Sequence, residues 1–147
     1  EMLAEMKARS VTEPGDALVL GADQVLELDD GLLFSKPESR AEAAAQLRRL
    51  SGEVHYLHSA AVVLRAGERL WGQAETVELH VRPLTDAFIH AYLDAEYEAV
   101  RWNVGGYRIE GLGVQLFDTV EGSHFAILGL PLLPLLAYLR EIGMLAR

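Results

Sequence analysis

Cysteine is absent from the 147 residues, which removes disulfides, zinc–thiolate sites and cysteine nucleophiles from consideration. Aromatic residues make up only 7%. Lysine is nearly missing too: Lys7 and Lys36 are two of thirteen basic residues, the rest being arginine. Acids outnumber bases by 22 to 13, for a net charge of −9. So acidic a chain has no basic stripe to neutralise a phosphate backbone, which argues against a nucleic-acid polymer as partner. It does not argue against a small phosphorylated ligand, which needs two or three cations and a divalent ion. Long apolar runs are lacking as well. The most apolar stretch, 125–139, is interrupted by Gly129, Pro131 and Pro134, short of the roughly 18 residues of a membrane helix. No basic segment followed by an apolar one marks a secretory signal. The expectation is a cytoplasmic protein with no membrane partner.

What is present is one domain's worth of chain with half its residues apolar, enough to bury a core. Glu1 to Ser10 reads as the end of a helix, and Thr12-Glu13-Pro14-Gly15-Asp16 as a break. Ala17 to Leu28 reads as a strand whose opening run, Ala17-Leu18-Val19-Leu20, suggests burial on both faces. Asp29-Asp30-Gly31 signals a hairpin into Leu32-Leu33-Phe34. Ser39 and Glu42 have the spacing of a capping box, which predicts a helix from Arg40 to Leu50. Two long strands, 54–64 and 69–81, follow. Thr85 then caps a helix from Asp86 to about Ala95, and a strand is expected over 114–120. A last helix begins near Pro131, with Leu132, Leu135, Leu136, Leu139 and Ile142 on one stripe. This alternation predicts an α/β or α+β fold, a mixed sheet with flanking helices.

Three places carry candidate chemistry. Asp23 stands in Gly21-Ala22-Asp23-Gln24, emerging from an apolar strand where charge is costly unless paired or metal-bound. It reads either as a base or metal ligand or as a strand-end carboxylate satisfied by a turn. Lys36, in Ser35-Lys36-Pro37, reads as a phosphate-binding ammonium or as a surface lysine. The segment Arg101 to Gly113 holds four glycines, Trp102 and Tyr107 with faces for stacking, and Glu110. It reads as a loop that approaches a ligand or as a long turn around a packed tryptophan. It lacks the spacing of a Walker loop and of a dinucleotide fingerprint. His55 and His58 do not have the helical spacing of a zinc pair, and Ser59 has no nucleophile-elbow context.

In order along the chain, these segments resemble the Maf family of nucleoside triphosphate pyrophosphatases. The matching pieces are Lys7-Ala8-Arg9-Ser10-Val11, Gly21-Ala22-Asp23-Gln24-Val25, Lys36-Pro37, Leu47 to Gly52, Arg82-Pro83-Leu84-Thr85-Asp86, Tyr107-Arg108-Ile109-Glu110-Gly111, and Glu121-Gly122 through Gly129-Leu130-Pro131. The resemblance covers essentially the whole chain. It implies a single Maf-like domain over residues 1–147, two-lobed with a central cleft. It also implies cleavage between the α- and β-phosphates with the help of a divalent cation (Mg, Mn or Co), and often a homodimer. Asp23 then takes the place of the proton acceptor and metal ligand, and Lys7 and Lys36 hold phosphate oxygens. Gln24 and Glu110 together resemble the branch that prefers 7-methyl-GTP, whereas the dTTP- and UTP-cleaving branch has Thr and Gln there. A cationic N7-methylated base suits a carboxylate and an aromatic face. The resemblance leaves two alternatives: dTTP/UTP cleavage, and a non-catalytic nucleotide-binding regulator of cell division. One piece of the pattern, a Ser-x-Ser-x-Arg-Arg segment on an N-terminal strand and loop, has no counterpart in the given residues.

Overall fold

The computed structural model describes residues 1–147. The elements run α1 (Met2–Arg9), β1 (Leu18–Leu28), β2 (Leu33–Phe34), α2 (Arg40–Leu50), β3 (Val54–Arg65), β4 (Glu68–Val81), α3 (Asp86–Val100), β5 (Phe117–Glu121), α4 (His124–Ile127) and α5 (Leu132–Glu141). The strands form one five-stranded sheet in the order β2-β1-β3-β4-β5. β2 pairs antiparallel with β1 through Leu26↔Phe34 and Glu27↔Leu33, and β5 pairs antiparallel with β4 from Glu78↔Glu121 to Val81↔Phe117. Sheet plus flanking helices is the α/β arrangement expected. No helix is long and apolar enough to cross a membrane.

The helix boundaries follow from local chemistry. Ser39 Oγ accepts from the Glu42 amide at 3.1 Å, and the Glu42 carboxylate accepts from the Glu38 amide at 2.9 Å. The reciprocal bond of the capping box thus reaches one residue further back than the usual pattern. Thr85 caps α3 through the Phe88 amide at 3.1 Å. This helix runs on past Ala95 to Val100, because Ile89, Tyr92, Leu93, Glu96 and Val100 continue one buried face. Between β3 and β4 the turn residues Ala66 and Gly67 both have left-handed backbones, φ 49° and 79°. That geometry matches the twist of the two strands.

Two strand expectations are corrected. The run Leu18-Val19-Leu20 is not buried on both faces: Leu18 and Val19 are half-buried and Leu20 is 47% exposed. The strand covered on both faces is β3, where every residue from Ser59 to Leu64 is buried. β1 has β2 as an outer neighbour only at its far end, so its apolar start has less to pack against. The strand predicted over 114–120 begins at Phe117, and Leu112–Leu116 form a 3-10 turn instead. The cause lies at Gly113, where a Cβ would run into the backbone of Arg108. The chain there doubles back too tightly to extend.

By internal contact the chain divides into two compact units. The first comprises 1–24, 58–76 and 123–147; the second comprises 25–57 and 77–122. The divisions at residues 24, 57 and 76 fall inside β1, β3 and β4. In the first unit Ala4, Ala8, Ala60, Val62 and Leu64 form a cluster with Val19 against it. In the second, Leu26, Leu47, Leu50, Leu57, Leu79, Ile89, Leu93 and Leu116 are almost wholly removed from water.

Candidate functional site

In the first unit the site is built on an absence. Gly21 has an ordinary backbone, but a Cβ there would overlap the carbonyl of Ala4 and the nitrogen and methyl of Ala8. Only glycine lets α1 lie so close to β1. Strand side chains alternate, so Asp23, two residues on, projects from the same face. Lys7, between Ala4 and Ala8 on α1, places its ammonium on Asp23 Oδ1. The Lys7 side chain is 60% exposed and that of Asp23 only 15%. A half-sunk carboxylate thus carries an accessible cation. The structure brings these two predicted residues together.

Gln24 faces the other way. Its amide nitrogen donates towards Ser59 Oγ (3.1 Å), Ala126 O (3.0 Å) and Ile127 O (2.9 Å). Ser59, wholly buried on β3, donates its own proton to Ala126 O at 2.6 Å. The strand residue after Asp23 is therefore fastened to β3 and to α4, and any role of Gln24 towards a ligand falls to its amide oxygen.

The second unit holds Lys36 and Glu110, both exposed. Lys36 follows β2, with Pro37 buried behind it. The carbonyl of Ser35 accepts from Gln46 Nε2 of α2 at 3.0 Å, which ties down the backbone next to Lys36. Glu110 lies in the glycine-rich loop, which is secured by two buried contacts. His55 Nε2 and the Tyr107 hydroxyl share a hydrogen bond of 2.8 Å. Burial pushes the His55 imidazole down to about 4, so the ring is neutral near pH 7, and pushes the Tyr107 hydroxyl far above the ordinary tyrosine range. Glu96 of α3 accepts from Arg108 Nε at 2.9 Å, and this bond holds the guanidinium above its ordinary value.

Stacking on Tyr107 is thereby corrected: its ring is 5% exposed and packs edge-on against Phe117 at 5.0 Å. Trp102 is the open aromatic, 67% exposed, with the Arg101 guanidinium 4.9 Å from its ring centre.

Sequence reading overlooked the anchors. The buried polar side chains are Gln46, His55, Ser59 and Glu96, and each bonds to a segment that carries a candidate residue. Glu96 could have been found, since it is an acid on the apolar stripe that runs through Ile89, Leu93 and Val100. Ser59 and His55 gave no such signal.

No group of three or more His, Asp and Glu side chains converges for a metal ion. The other carboxylates of α1 and its cap are held by arginines, Glu5 by Arg9 and Arg69 and Glu1 by Arg69. Asp23 is likewise held, by Lys7, so a divalent ion there would share that carboxylate with the ammonium. One carboxylate does not make an all-protein cage. It does suit a magnesium-like ion, which keeps several waters and shares substrate phosphate oxygens.

Comparison with known proteins gives this arrangement its context. A family model described as Maf-like protein matches residues 1–142. A protein of Rhodopseudomonas palustris is 52% identical over 147 residues, 99% of this chain and 72% of that protein. One from Sphingopyxis alaskensis is 49% identical over 146 residues, 98% of this chain and 73% of its own length. One from Caulobacter vibrioides is 49% identical over 145 residues, 99% and 72% respectively. Each of the three is called a nucleoside triphosphate pyrophosphatase. The ordered series from Lys7 through Asp23 and Lys36 to Glu110 lies wholly inside the matched region, and the chain belongs to the Maf-like protein family.

Proposed function

We propose that this protein hydrolyses nucleoside triphosphates between the α- and β-phosphates, releasing a nucleoside monophosphate and pyrophosphate. The observation that carries this reading is the Lys7–Asp23 pair, a half-buried carboxylate bearing an exposed ammonium. The names of the relatives support it. Asp23 is assigned to accept a proton from the attacking water, a task for a positioned carboxylate. Lys7 orients that carboxylate and reaches a phosphate oxygen through its remaining N–H groups, where charge-assisted bonds are strongest. Lys36 is assigned to a second phosphate oxygen. A divalent ion on Asp23 would neutralise phosphate charge and lower the pKa of bound water. The tight seating of α1 on Gly21 keeps Lys7 over the carboxylate.

For the base, the assignment is 7-methyl-GTP or a related modified nucleotide. Glu110 is an exposed carboxylate on a loop held firmly from below, suited to a cationic N7-methylated guanine. Gln24 contributes its amide oxygen and the orientation of the strand beside Asp23.

The test is pyrophosphate release from a panel holding 7-methyl-GTP, GTP, UTP and dTTP, with magnesium and then with a chelator. Fastest release from 7-methyl-GTP, abolished by chelation, is expected. Preference for UTP and dTTP would overturn the base assignment, and full activity in chelator would overturn the metal. Tight binding without any hydrolysis would replace catalysis by nucleotide sensing. Glu110→Gln combined with Gln24→Thr should shift preference towards UTP.

A further inference from the structure

Glu96 is a carboxylate where the pattern of α3 asks for a hydrocarbon. It lies on the buried face with Ile89, Tyr92, Leu93 and Val100, and is only 6% exposed. A charge in that position is costly unless it is paired in good geometry. Arg108 supplies the pair side-on, with Nε 2.9 Å from Oε2 and Nη2 3.5 Å from Oε1. Two-point contact of this kind fixes a planar guanidinium in orientation as well as in place.

The backbone beyond Arg108 is moulded on this pair. A Cβ on Gly111 would stand 2.7 Å from Arg108 Nε and 3.0 Å from Glu96 Oε2. Its backbone angles, φ −118° and ψ −153°, are open to any residue. Glycine is needed at 111 for room rather than for conformation. Gly113 in turn abuts the Arg108 backbone, and the Gly111 amide donates to Arg108 O at 3.3 Å. Glu110 is thus bracketed: the chain is tied down at Arg108, two residues before it, and pressed onto the same ion pair at Gly111, immediately after it. Arg108 also feels the charge of Glu110.

We infer that Glu96 and Arg108 are positioning residues for nucleotide selection: their ion pair, capped by Gly111, sets the place of Glu110 and through it the choice of base. This rests on the reading of Glu110 as the group that meets the base. It assigns no contact with substrate to either member of the pair. The phosphates are held by other residues, so loosening the pair raises KM and erodes selectivity while leaving kcat for the cleavage step nearly intact.

The experiment compares the unsubstituted protein, Glu96→Gln, Arg108→Lys and Gly111→Ala. It reads kcat and KM for 7-methyl-GTP and UTP, thermal unfolding, and hydrogen exchange of the amides of 108–113. Glu96→Gln keeps size and removes charge, so it should raise KM for the preferred nucleotide about 10-fold, change kcat less than 2-fold and speed exchange in the loop, in line with the cost of small misplacements. Arg108→Lys, which keeps the charge without the side-on fork, should fall between. Gly111→Ala should repeat the KM effect with both ionic partners present, which a mere loss of charge would not do. Equal loss on both nucleotides, or unchanged exchange in Glu96→Gln, would overturn the inference while leaving the activity standing. An unsubstituted protein inactive on every nucleotide would overturn the pyrophosphatase reading instead, and with it the role in selection.

Discussion

The two units position their candidate residues by opposite means. In the first, Lys7 meets Asp23 because side-chain bulk is missing: Gly21, Ala4 and Ala8 let a helix and a strand close up. In the second, Lys36 and Glu110 stand on segments pinned by buried polar groups, namely Gln46, His55 with Tyr107, and Glu96 with Arg108. Close packing is indifferent to pH and sensitive to a single added carbon. Buried hydrogen bonds are sensitive as well to altered protonation or a lost partner. The proposed base Asp23 and its Lys7 partner thus rest on the close-packed device, and Lys36 and Glu110 on the polar one.

The largest effect should come from Asp23→Asn. Pyrophosphate release is expected to fall by about 10²–10⁴, the usual range for a lost acid–base group, with thermal unfolding unchanged. Full activity in this variant would sink the catalytic assignment. Next comes Gly21→Ala, which adds one carbon where Ala4 and Ala8 already fill the space. The expected cost is about 1–3 kcal/mol of stability and up to ~10²-fold in activity through displacement of Lys7. Urea unfolding and steady-state rates read the two separately, and a silent substitution would break the comparison at its first term.

The second unit predicts a pH signature. The His55 imidazole has a folded value of about 4 against an ordinary 6.5. Between those values the unfolded chain binds the proton and the folded chain does not, so stability rises as pH increases through this window and is flat above it. The span corresponds to about 3 kcal/mol at most. His55→Gln should flatten the rise seen in urea unfolding between pH 4 and 6.5. A rise that survives in that variant would assign it to other groups.

A smaller loss, about 1–2 kcal/mol, is expected for Gln46→Ala, which removes the donor to Ser35 O. KM should rise through Lys36, with kcat preserved. Smallest is Ala66→Gly, which relieves a left-handed alanine, φ 49°. It should add about 0.5–1 kcal/mol net of the entropy cost of glycine without touching activity, as a control at the β3–β4 turn of the first unit.

Much of this architecture was legible before any coordinates. Ser39 and Thr85 announced α2 and α3 because a cap is a local interaction, readable within four residues. Asp23 stood out as a carboxylate in an apolar strand and Lys36 as one of only two lysines, whereas the assignment of Lys7 came from the family resemblance. What stayed hidden depends on distant neighbours. The stop at Leu116 and the start of β5 at Phe117 follow from Gly113 meeting the backbone of Arg108. The shortfall in burial of β1 follows from a two-residue partner strand. The neutral state of His55 follows from its burial, beside Tyr107, 52 residues away. Gln24 takes its specificity role from the family resemblance, but its grip on α4 depends on a helix a hundred residues further along.

The seating of α1 has a consequence of its own: Lys7 stands over Asp23 only while Ala4 and Ala8 rest on Gly21. Were that helix displaced, Lys7 would leave Asp23 and the cation proposed for a phosphate oxygen would be lost. A triphosphate that binds only the docked form draws the population towards it, and its measured affinity carries the fraction of molecules already closed.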